Sequence, residues 1–165
     1  MILNNEINNT ALHMQIVPFK GLQLPDNVRQ FIIEANQAFN WSKGASLSDF
    51  DNPLSEYYVL FYEKAVIGYV GLQHVLNEGT LNLVYIEEKW RRQGLGHQLL
   101  QFVMDQLAAR DVSHLFLEVR ESNQAALALY QKVGFELIAK RKNYYHNPQE
   151  DACILQMNLR EGVKQ

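Results

Sequence analysis

Apolar and polar residues along the chain follow two patterns, one typical of strands and the other of helices. The clearest helix is predicted over residues 94–110, where an apolar stripe lies opposite a polar face. An earlier helix is predicted to open at Pro25, and a short one at 46–50 ends before Pro53. The two longer stripes consist of Val28, Phe31, Ile32, Ala35 and Phe39, and of Leu95, Leu99, Phe102, Val103 and Leu107.

Seven segments have the apolar pattern of strands. Turns are predicted at 63–64 and at 77–79, so that three consecutive strands form a meander. Between the later strands, Ser122 is predicted to cap a further helix and Gly134 to end it. The predicted strands are 14–19, 57–62, 65–75, 80–86, 113–120, a segment from Phe135, and 151–159.

The order of these elements predicts an α/β fold in which a mixed sheet carries helices on both faces. At 165 residues the chain has the length of one domain, and it contains no internal repeat or linker that would divide it. We therefore predict a single domain over residues 1–165. Residues 1–12 are polar and rich in asparagine, which predicts a loose N-terminal extension.

Composition narrows the functional classes. Apolar residues make up 47% of the chain and charged residues 20%, as in an ordinary globular protein. The net charge of -3 argues against a general affinity for nucleic acid or anionic membranes. No apolar run approaches the ~20 residues that span a bilayer, and the N-terminus lacks the pattern of a signal peptide. We therefore expect a cytoplasmic protein with neither nucleic acid nor membrane as a direct partner.

The cysteine and histidine residues predict no disulfide and no metal site. Cys153 is the only cysteine, which excludes an internal disulfide, and its apolar surroundings favour a buried, unreactive thiol. The five histidines lack the spacing of metal ligands.

A glycine-rich junction between a predicted strand and the longest helix suggests a phosphate site. Glycine lets the backbone approach a ligand, and the first N–H groups of a helix have no partner within it. A Walker loop would need Gly-Lys-Ser/Thr, and a dinucleotide fingerprint a third Gly or Ala at Leu99, so neither fits. A purely structural turn is the alternative. The junction consists of Arg91, Arg92, Gln93, Gly94, Leu95 and Gly96, followed by His97.

A second motif further along the chain strengthens the interpretation of the glycine-rich junction as a phosphate site. Arg91-x-x-Gly94-x-Gly96 followed by 123–135 (NQAALALYQKVGF) resembles the GNAT superfamily of acetyl-CoA-dependent N-acetyltransferases. Three further segments resemble the bacterial ribosomal-protein-alanine N-acetyltransferases within it, namely 39–42 (FNWS), 115–120 (LFLEVR) and 142–152 (KNYY and EDA). The likeness runs from about residue 14 to residue 159.

The resemblance implies a GNAT fold, in which a mostly antiparallel sheet of about seven strands has one splayed parallel pair that holds acetyl-CoA. Here that pair is 80–86 and 113–120. The Asn123 side chain is expected to bind the pantetheine arm. Backbone groups expected on the pantetheine and the thioester carbonyl are those of Val84, Tyr85 and Ile86. Backbone N–H groups expected on the pyrophosphate are those of Arg91, Arg92, Gln93, Gly94, Leu95, Gly96 and His97.

The resemblance assigns the catalytic roles to Glu118 and Tyr130. Glu118 matches the general base, which takes a proton from the acceptor's ammonium directly or through water. Its alternative is an exposed charge, because strand alternation places it opposite Leu117 and Val119. Tyr130 matches the general acid, and its alternative is core packing with a tethered hydroxyl. A thiol has a pKa of ~8.5 and tyrosine ~10, so Tyr130 must lie close to the sulfur to act as a donor.

The acceptor is expected to enter from the opposite side of the gap, between residues 39–46 and the last hairpin at 143–151. Tyr144 and Tyr145 are expected to bind a peptide backbone, and Trp41 to pack on the terminal residue or simply to anchor its helix. The resemblance implies a protein N-terminus as partner, an alanine of a small-subunit ribosomal protein. Departures from the pattern put the exact acceptor in doubt, and they lie at Asn40, Asn82, Leu83 and His97.

Two other functions stay open from sequence. One is a GNAT enzyme that acetylates a small-molecule amine, and the other is a non-catalytic CoA-binding module. The Tyr144–Tyr145 segment argues against the first, and the presence of both Glu118 and Tyr130 against the second. The sequence indicates nothing about the oligomeric state.

Overall fold

One sheet of seven strands forms the centre of the molecule. The computed structural model describes residues 13–160, so the predicted extension at 1–12 lies outside the described residues. The strands are β1 (Met14–Lys20), β2 (Ser55–Tyr62), β3 (Ala65–Val75), β4 (Glu78–Ile86), β5 (His114–Arg120), β6 (Glu136–Tyr145) and β7 (Glu150–Asn158). Their order in the sheet is β1-β2-β3-β4-β5-β7-β6. In this described part of the chain, β4 and β5 are parallel neighbours and the other neighbours are antiparallel.

Helices cover both faces of this sheet. They are α1 (Asp26–Asn36), α2 (Lys43–Asp51), α3 (Leu95–Ala109) and α4 (Gln124–Val133). One face carries the α3/α4 cluster, whose buried members include Leu99, Leu107, Leu115, Leu117, Val119 and Tyr130. The other carries the α1/α2 cluster, which includes Val28, Ile32, Phe50, Tyr57, Tyr69 and Leu83. The predicted fold class is therefore confirmed.

The predicted helix over 94–110 is confirmed as α3, and its apolar stripe is buried. Gly94 precedes the helix with a positive φ of 78°, a backbone conformation that glycine adopts without steric cost. Gly134 ends α4 with a φ of 113°, as the sequence predicted. The predicted cap of α4 was wrong by one residue: the side chain of Asn123, rather than Ser122, accepts from Ala126 N–H at 3.1 Å.

Two other boundaries differ from the predictions. The short helix predicted at 46–50 begins earlier, at Lys43, because the Ser42 hydroxyl caps it by accepting from Ala45 N–H at 3.1 Å. The chain reverses between β3 and β4 at 76–77 instead of 77–79. Gly79 lies within β4, where a Cβ atom would come within 2.6 Å of Leu115 Cδ2. That glycine therefore permits close packing of β4 on β5 and does not form the turn.

A bulge in β4 lies where the parallel pair separates. Leu81 and Leu83 pair with consecutive residues of β3, which leaves Asn82 as the extra residue. Pairing of β4 with β5 ends at Leu81 with Leu117. Beyond that point, β4 continues along β3 to Ile86 and β5 continues along β7. A bulge bends its strand and increases the twist, which accounts for the divergence. We call the resulting opening the β4–β5 gap, and it confirms the predicted splayed pair.

Candidate active site

Polar backbone groups of β4 line the β4–β5 gap. Glu87 N–H donates to Ile67 O at 2.8 Å, and Tyr85, two residues earlier, lies opposite Tyr69 of β3 in the same hydrogen-bonding phase. Antiparallel pairs alternate between hydrogen-bonded and non-bonded positions. The N–H and C=O groups of Val84 and Ile86 therefore point away from β3 and into the gap. The backbone of Tyr85 is directed to β3 instead, which separates it from the two residues beside it.

Side chains on the two faces of the gap belong to different environments. In β5, Leu117 and Val119 belong to the α3/α4 cluster. Alternation along the strand then places Glu118 on the opposite face, towards α1 and α2. Tyr130 of α4 belongs to the α3/α4 cluster. The two predicted catalytic residues therefore lie on opposite faces of the sheet.

The predicted pyrophosphate loop leads into the first turn of α3. Arg92 and Gly94 have φ values of 62° and 78°, so the backbone turns sharply ahead of the helix. Gly96 lies in the first turn, where a Cβ atom would be 3.3 Å from Leu129 Cδ2 of α4. Arg92, Gln93, Gly94 and the following N–H groups form an exposed helix N-terminus suited to an anion. His97 is half-buried in the same turn.

Arg91 is directed to β4. Its Nε donates to Ile86 O at 2.7 Å, and its guanidinium lies 5.4 Å from the centre of the Tyr85 ring. Tyr85 in turn stacks on Tyr69 at 5.7 Å between ring centres and packs against the α1/α2 cluster. Arg91 therefore joins the glycine loop to the face of the sheet that carries Glu118.

Tyr130 is held in an apolar setting. The residue is 9% exposed, and its ring meets Phe135 edge to face at 5.8 Å between ring centres. Burial, and then the proximity of Tyr145, raise the pKa of Tyr130 to about 12. The phenol is therefore protonated near neutral pH and is able to donate a proton.

Glu118 is within reach of solvent and of charged or polar groups from β6. Its carboxylate is 32% exposed and lies 3.5 Å from the guanidinium of Arg141. Hydrogen bonding to Glu118 raises the pKa of Tyr144, with burial as the second cause. Glu118 is thus exposed, as the sequence alternative expected, and its carboxylate is also paired with Arg141 at the edge of the β4–β5 gap.

Tyr144 and Tyr145 form the base of the last hairpin. Their rings meet edge to face at 5.0 Å, and the Arg120 guanidinium lies 4.4 Å from the Tyr145 ring centre. Arg120 also donates to Pro148 O at 3.1 Å, to His146 O at 3.3 Å, and to the Glu150 carboxylate. Burial and then the charge of Glu118 raise the pKa of Tyr145 to about 12. This network fixes the hairpin beside β5.

Trp41 lies on the same face of the sheet but in a separate group of contacts. It is half-buried against the α1/α2 cluster and lines an open pocket of about 430 Å³ together with Asn40 and residues of α2. Among residues 13–160, Trp41 shares no hydrogen bond or ring contact with Glu118, Tyr144 or Tyr145. The structure brings Glu118, Tyr144 and Tyr145 together and leaves Trp41 apart.

Residues 23–135, more than half of the chain, match the acetyltransferase (GNAT) family. The chain belongs to this family. It is 44% identical over 89 residues to the ribosomal protein bS18-alanine N-acetyltransferase of Escherichia coli K12, covering 53% of this chain and 60% of that one. It is 39% identical over 137 residues to the enzyme of the same name from Haemophilus ducreyi, covering 79% and 92%. The chain thus spans 60% of the length of the first of these relatives and most of the second.

Solved structures show the same fold for this GNAT protein. The crystal structure of the ribosomal-protein-S18-alanine N-acetyltransferase from Escherichia coli superposes with a TM-score of 0.76 at 31% identity, covering 88% of this chain and 94% of that one. A GNAT family acetyltransferase from Elizabethkingia anophelis with acetyl-CoA bound superposes with a TM-score of 0.71 at 25% identity, covering 88% and 98%. The resemblance predicted from sequence is confirmed.

One departure from the family pattern has a structural explanation. Leu83, one of the positions that depart from the pattern, is 3% exposed within the α1/α2 cluster. It therefore contributes to the core of this GNAT protein. Asn82, by contrast, is the exposed residue of the β4 bulge.

Sequence reasoning missed Arg141, which pairs with Glu118. The one available signal was its place directly before 142–145, the segment that resembles the ribosomal-protein enzymes. Clusters of metal-binding type are not found: residues 13–160 contain no group of three or more His, Cys, Asp or Glu placed to hold an ion. No helix in that range has both the length and the apolar character to cross a membrane.

Proposed function

We propose that this chain is an acetyl-CoA-dependent N-alpha-acetyltransferase acting on the N-terminal alanine of a small-subunit ribosomal protein. The observation that carries the proposal is the placement of Glu118 and Tyr130 on opposite faces of the sheet beside the β4–β5 gap. A carboxylate on one face and a protonated phenol on the other suit proton removal from an acceptor and proton delivery to a leaving group. The names of the two bacterial relatives support the choice of acceptor, which also favours a cytoplasmic location.

The acetyl donor fits the face of the gap that carries the α3/α4 cluster. Val84 offers its backbone N–H and C=O, and Ile86 its N–H, for the pantetheine arm and the thioester carbonyl, while the Ile86 carbonyl accepts from Arg91 Nε. The loop from Arg91 to His97 offers the N-terminus of the 15-residue helix α3 for the pyrophosphate. Asn123 lies at the junction of β5 and α4, on the predicted path of the arm. The amide groups of the pantetheine arm would thus hydrogen-bond to β4 in the stretch where β4 and β5 no longer pair with each other.

Proton transfers accompany a direct attack. Glu118 accepts a proton from the acceptor's α-ammonium, directly or through water, because only the neutral amine is nucleophilic. An α-amino group has a pKa of about 8, so deprotonation near neutral pH costs only about 1–2 kcal/mol. The new C–N bond then forms on the acetyl carbon while the C–S bond breaks, and Tyr130 gives its proton to the departing thiolate. The second proton that leaves the amine nitrogen as the amide forms returns to the Tyr130 phenolate through water, and Glu118 releases its proton to solvent. No covalent intermediate with the protein is required.

The acceptor is proposed to bind on the face that carries Glu118. Tyr144 and Tyr145 offer hydroxyl groups and ring faces to a peptide backbone. Tyr85 was predicted as a cofactor contact, and its side chain on the α1/α2 cluster favours the acceptor side instead. Trp41 shares none of their contacts in the described part of the chain, so we assign it to a later residue of the acceptor or to anchoring of α2.

An acetylation assay tests the proposed function. Purified protein is incubated with acetyl-CoA and either a peptide that begins with alanine or a panel of small amines, and the products are identified by mass spectrometry. Modification at the peptide's α-amine supports the proposal. Modification of a small amine alone would favour the alternative GNAT activity, and binding of acetyl-CoA without any acetylated product would favour a non-catalytic module.

The variant Glu118→Gln tests the base. We expect kcat/KM for the alanine peptide to fall about a hundredfold, within the usual range for general base catalysis. The loss is expected to be greatest at low pH, where more of the amine is protonated. The matched control is Glu136→Gln, an exposed residue at the far end of β6, and it is expected to leave the activity unchanged. A loss for Glu118→Gln that is equal at every pH would contradict the assignment.

A further inference from the structure

Arg141 connects the proposed base to the hairpin that faces it. Its Nη1 lies 3.5 Å from Glu118 Oε1, and its guanidinium lies 5.5 Å from the centre of the Tyr144 ring. The Arg141 side chain is 56% exposed, yet it has contacts on two sides. A planar guanidinium stacked on an aromatic ring loses less freedom when it pairs with a carboxylate. The ion pair is therefore oriented by the ring beside it.

Other charged and titratable groups near Glu118 are engaged elsewhere or are neutral. Arg120 of the same strand lies on the Tyr145 ring and donates to Glu150 of β7. The β7 neighbour of Glu118 in the sheet is Ile154. From β6, Tyr144 and Tyr145 face the carboxylate as phenols whose pKa values are raised. Arg141 is thus the cation in direct contact with Glu118 in the described part of the chain.

A carboxylate next to an amine has two opposing effects. It can accept a proton from the ammonium, but its negative charge also stabilises the ammonium and so reduces the fraction of nucleophilic amine. A guanidinium beside the carboxylate offsets that second effect, because a like charge a few ångströms from an ammonium favours the neutral amine. Glu118, paired with Arg141, can therefore accept the proton without stabilising the acceptor amine as an ammonium.

We propose that Arg141 is a positioning residue that orients Glu118 and keeps the bound acceptor amine in its neutral, nucleophilic form. The inference rests on the proposed acetylation of an α-amine. It adds a residue from the edge strand β6 to the acceptor side of the β4–β5 gap. It also accounts for the guanidinium beside the one carboxylate of β5.

The test is the pH dependence of kcat for Arg141→Gln at saturating acetyl-CoA and alanine peptide. Partial solvent exposure screens the charge, so we expect a shift of about one pKa unit in the bound amine, which corresponds to a tenfold change. The variant should lose about tenfold in kcat near pH 7 and recover as the pH rises past about 9. Arg141→Lys keeps the charge and should retain most of the activity at pH 7.

The matched control is Lys140→Gln. Lys140 is the preceding cation of β6, but it pairs with Glu121 at 2.5 Å on the opposite face of the sheet. We expect its pH profile to coincide with that of the unmodified protein. Thermal unfolding of each variant shows whether it is folded, and the Lys variant carries the test if the Gln variant is not.

Three results are distinguishable. A loss for Arg141→Gln that is confined to low pH, with activity retained by Arg141→Lys, supports the inference. An equal loss at all pH values, or no loss, overturns it and leaves Arg141 as a structural contact of the hairpin. If the unmodified protein acetylates no α-amine, the proposed function fails before Arg141 is tested.

Discussion

Tyr130 and Glu118 differ in how far solvent reaches them. Tyr130 is buried, with 9% of the residue exposed, whereas Glu118 is an exposed residue whose side chain is 32% accessible. A buried phenol with a pKa of about 12 keeps its proton near neutral pH. A partly exposed carboxylate can pass the acceptor's proton to bulk water. The two positions are therefore suited to opposite proton transfers.

The variant Tyr130→Phe should lower kcat by about tenfold to a hundredfold, the low end for a general acid, because a thiolate is an acceptable leaving group. The KM for acetyl-CoA should change little, since only a hydroxyl is removed from an apolar site. Because the pKa of Tyr130 is about 12, the loss should be the same across neutral and mildly alkaline pH. Steady-state kinetics at several pH values measures this.

The control for that variant is Tyr62→Phe, a half-buried tyrosine packed on the same α3/α4 cluster near Trp90. It should leave kcat unchanged. An unaltered kcat in Tyr130→Phe would remove Tyr130 from the chemistry and return it to a packing role against Phe135.

Sequence singled out the proposed catalytic pair because each residue lies inside a recognisable motif on a regular element. It did not identify Arg141, since an arginine on an exposed edge strand, flanked by Lys140 and Lys142, is usually a solvated charge. Its role depends on the register that places β6 across β7 from β5, and sequence alone does not fix that register. Sequence likewise did not predict the direction of the Tyr85 side chain, because that direction depends on the bulge at Asn82.

At the scale of elements, helices and strands were predictable where apolar periodicity is long, as in α3, and less so at their ends. The turn before β4 was misplaced because Gly79 reads as a turn residue, whereas it serves the close approach to Leu115. The bulge at Asn82 gives no sequence signal, yet it determines where the β4–β5 gap opens. Element ends are decided by local hydrogen bonds that compete closely in free energy.

The N-terminus of α4 combines a structural and a proposed binding role in Asn123. The variant Asn123→Asp keeps an oxygen that accepts from Ala126 N–H, so the free energy of unfolding should change by less than about 0.5 kcal/mol. It lacks the amide donors and adds a charge, so the KM for acetyl-CoA should rise severalfold. Asn123→Ala should lose about 1 kcal/mol of stability as well. Urea unfolding and steady-state kinetics separate the two effects.

Ser42→Ala is the matched control, because Ser42 caps α2 in the same way through Ala45 N–H. It should cost about 1 kcal/mol of stability and leave the KM for acetyl-CoA unchanged. If Asn123→Asp also left that KM unchanged, Asn123 would be a helix cap and not a contact of the pantetheine arm.

At the scale of the whole molecule, the two ends of the sheet have different tasks. The β4–β5 gap opens at the end of the sheet towards which β4 runs, and a buried carboxylate near the start of β2 holds several elements together towards the opposite end. Glu56 of β2 is 7% exposed and pairs with Arg110, at the end of α3, through two bonds of 2.7 and 2.8 Å. Lys20 at the end of β1 and His74 of β3 lie within 2.5 and 3.6 Å of the same carboxylate. The helix that follows the glycine-rich junction is thus anchored at its opposite end.

The stability of this anchor should depend on pH in an acidic window. Burial alone would raise the pKa of Glu56, but the hydrogen bonds and charges of Arg110 and Lys20 outweigh burial and lower it from 4.5 to about 2. A lowered folded-state pKa adds stability that is fully present above about pH 4.5 and is lost as the pH falls towards about 2. The shift corresponds to about 3 kcal/mol.

Glu56→Gln should therefore lower the free energy of unfolding by up to about 3 kcal/mol at pH 7, and its deficit should shrink between about pH 4.5 and pH 2. Urea unfolding at a series of pH values measures both, with the exposed Glu63→Gln as a control that should stay within about 0.5 kcal/mol of the unmodified protein. A Glu56→Gln deficit that is constant through the acidic range would show that packing, and not the charge of Glu56, holds the end of α3 to the sheet.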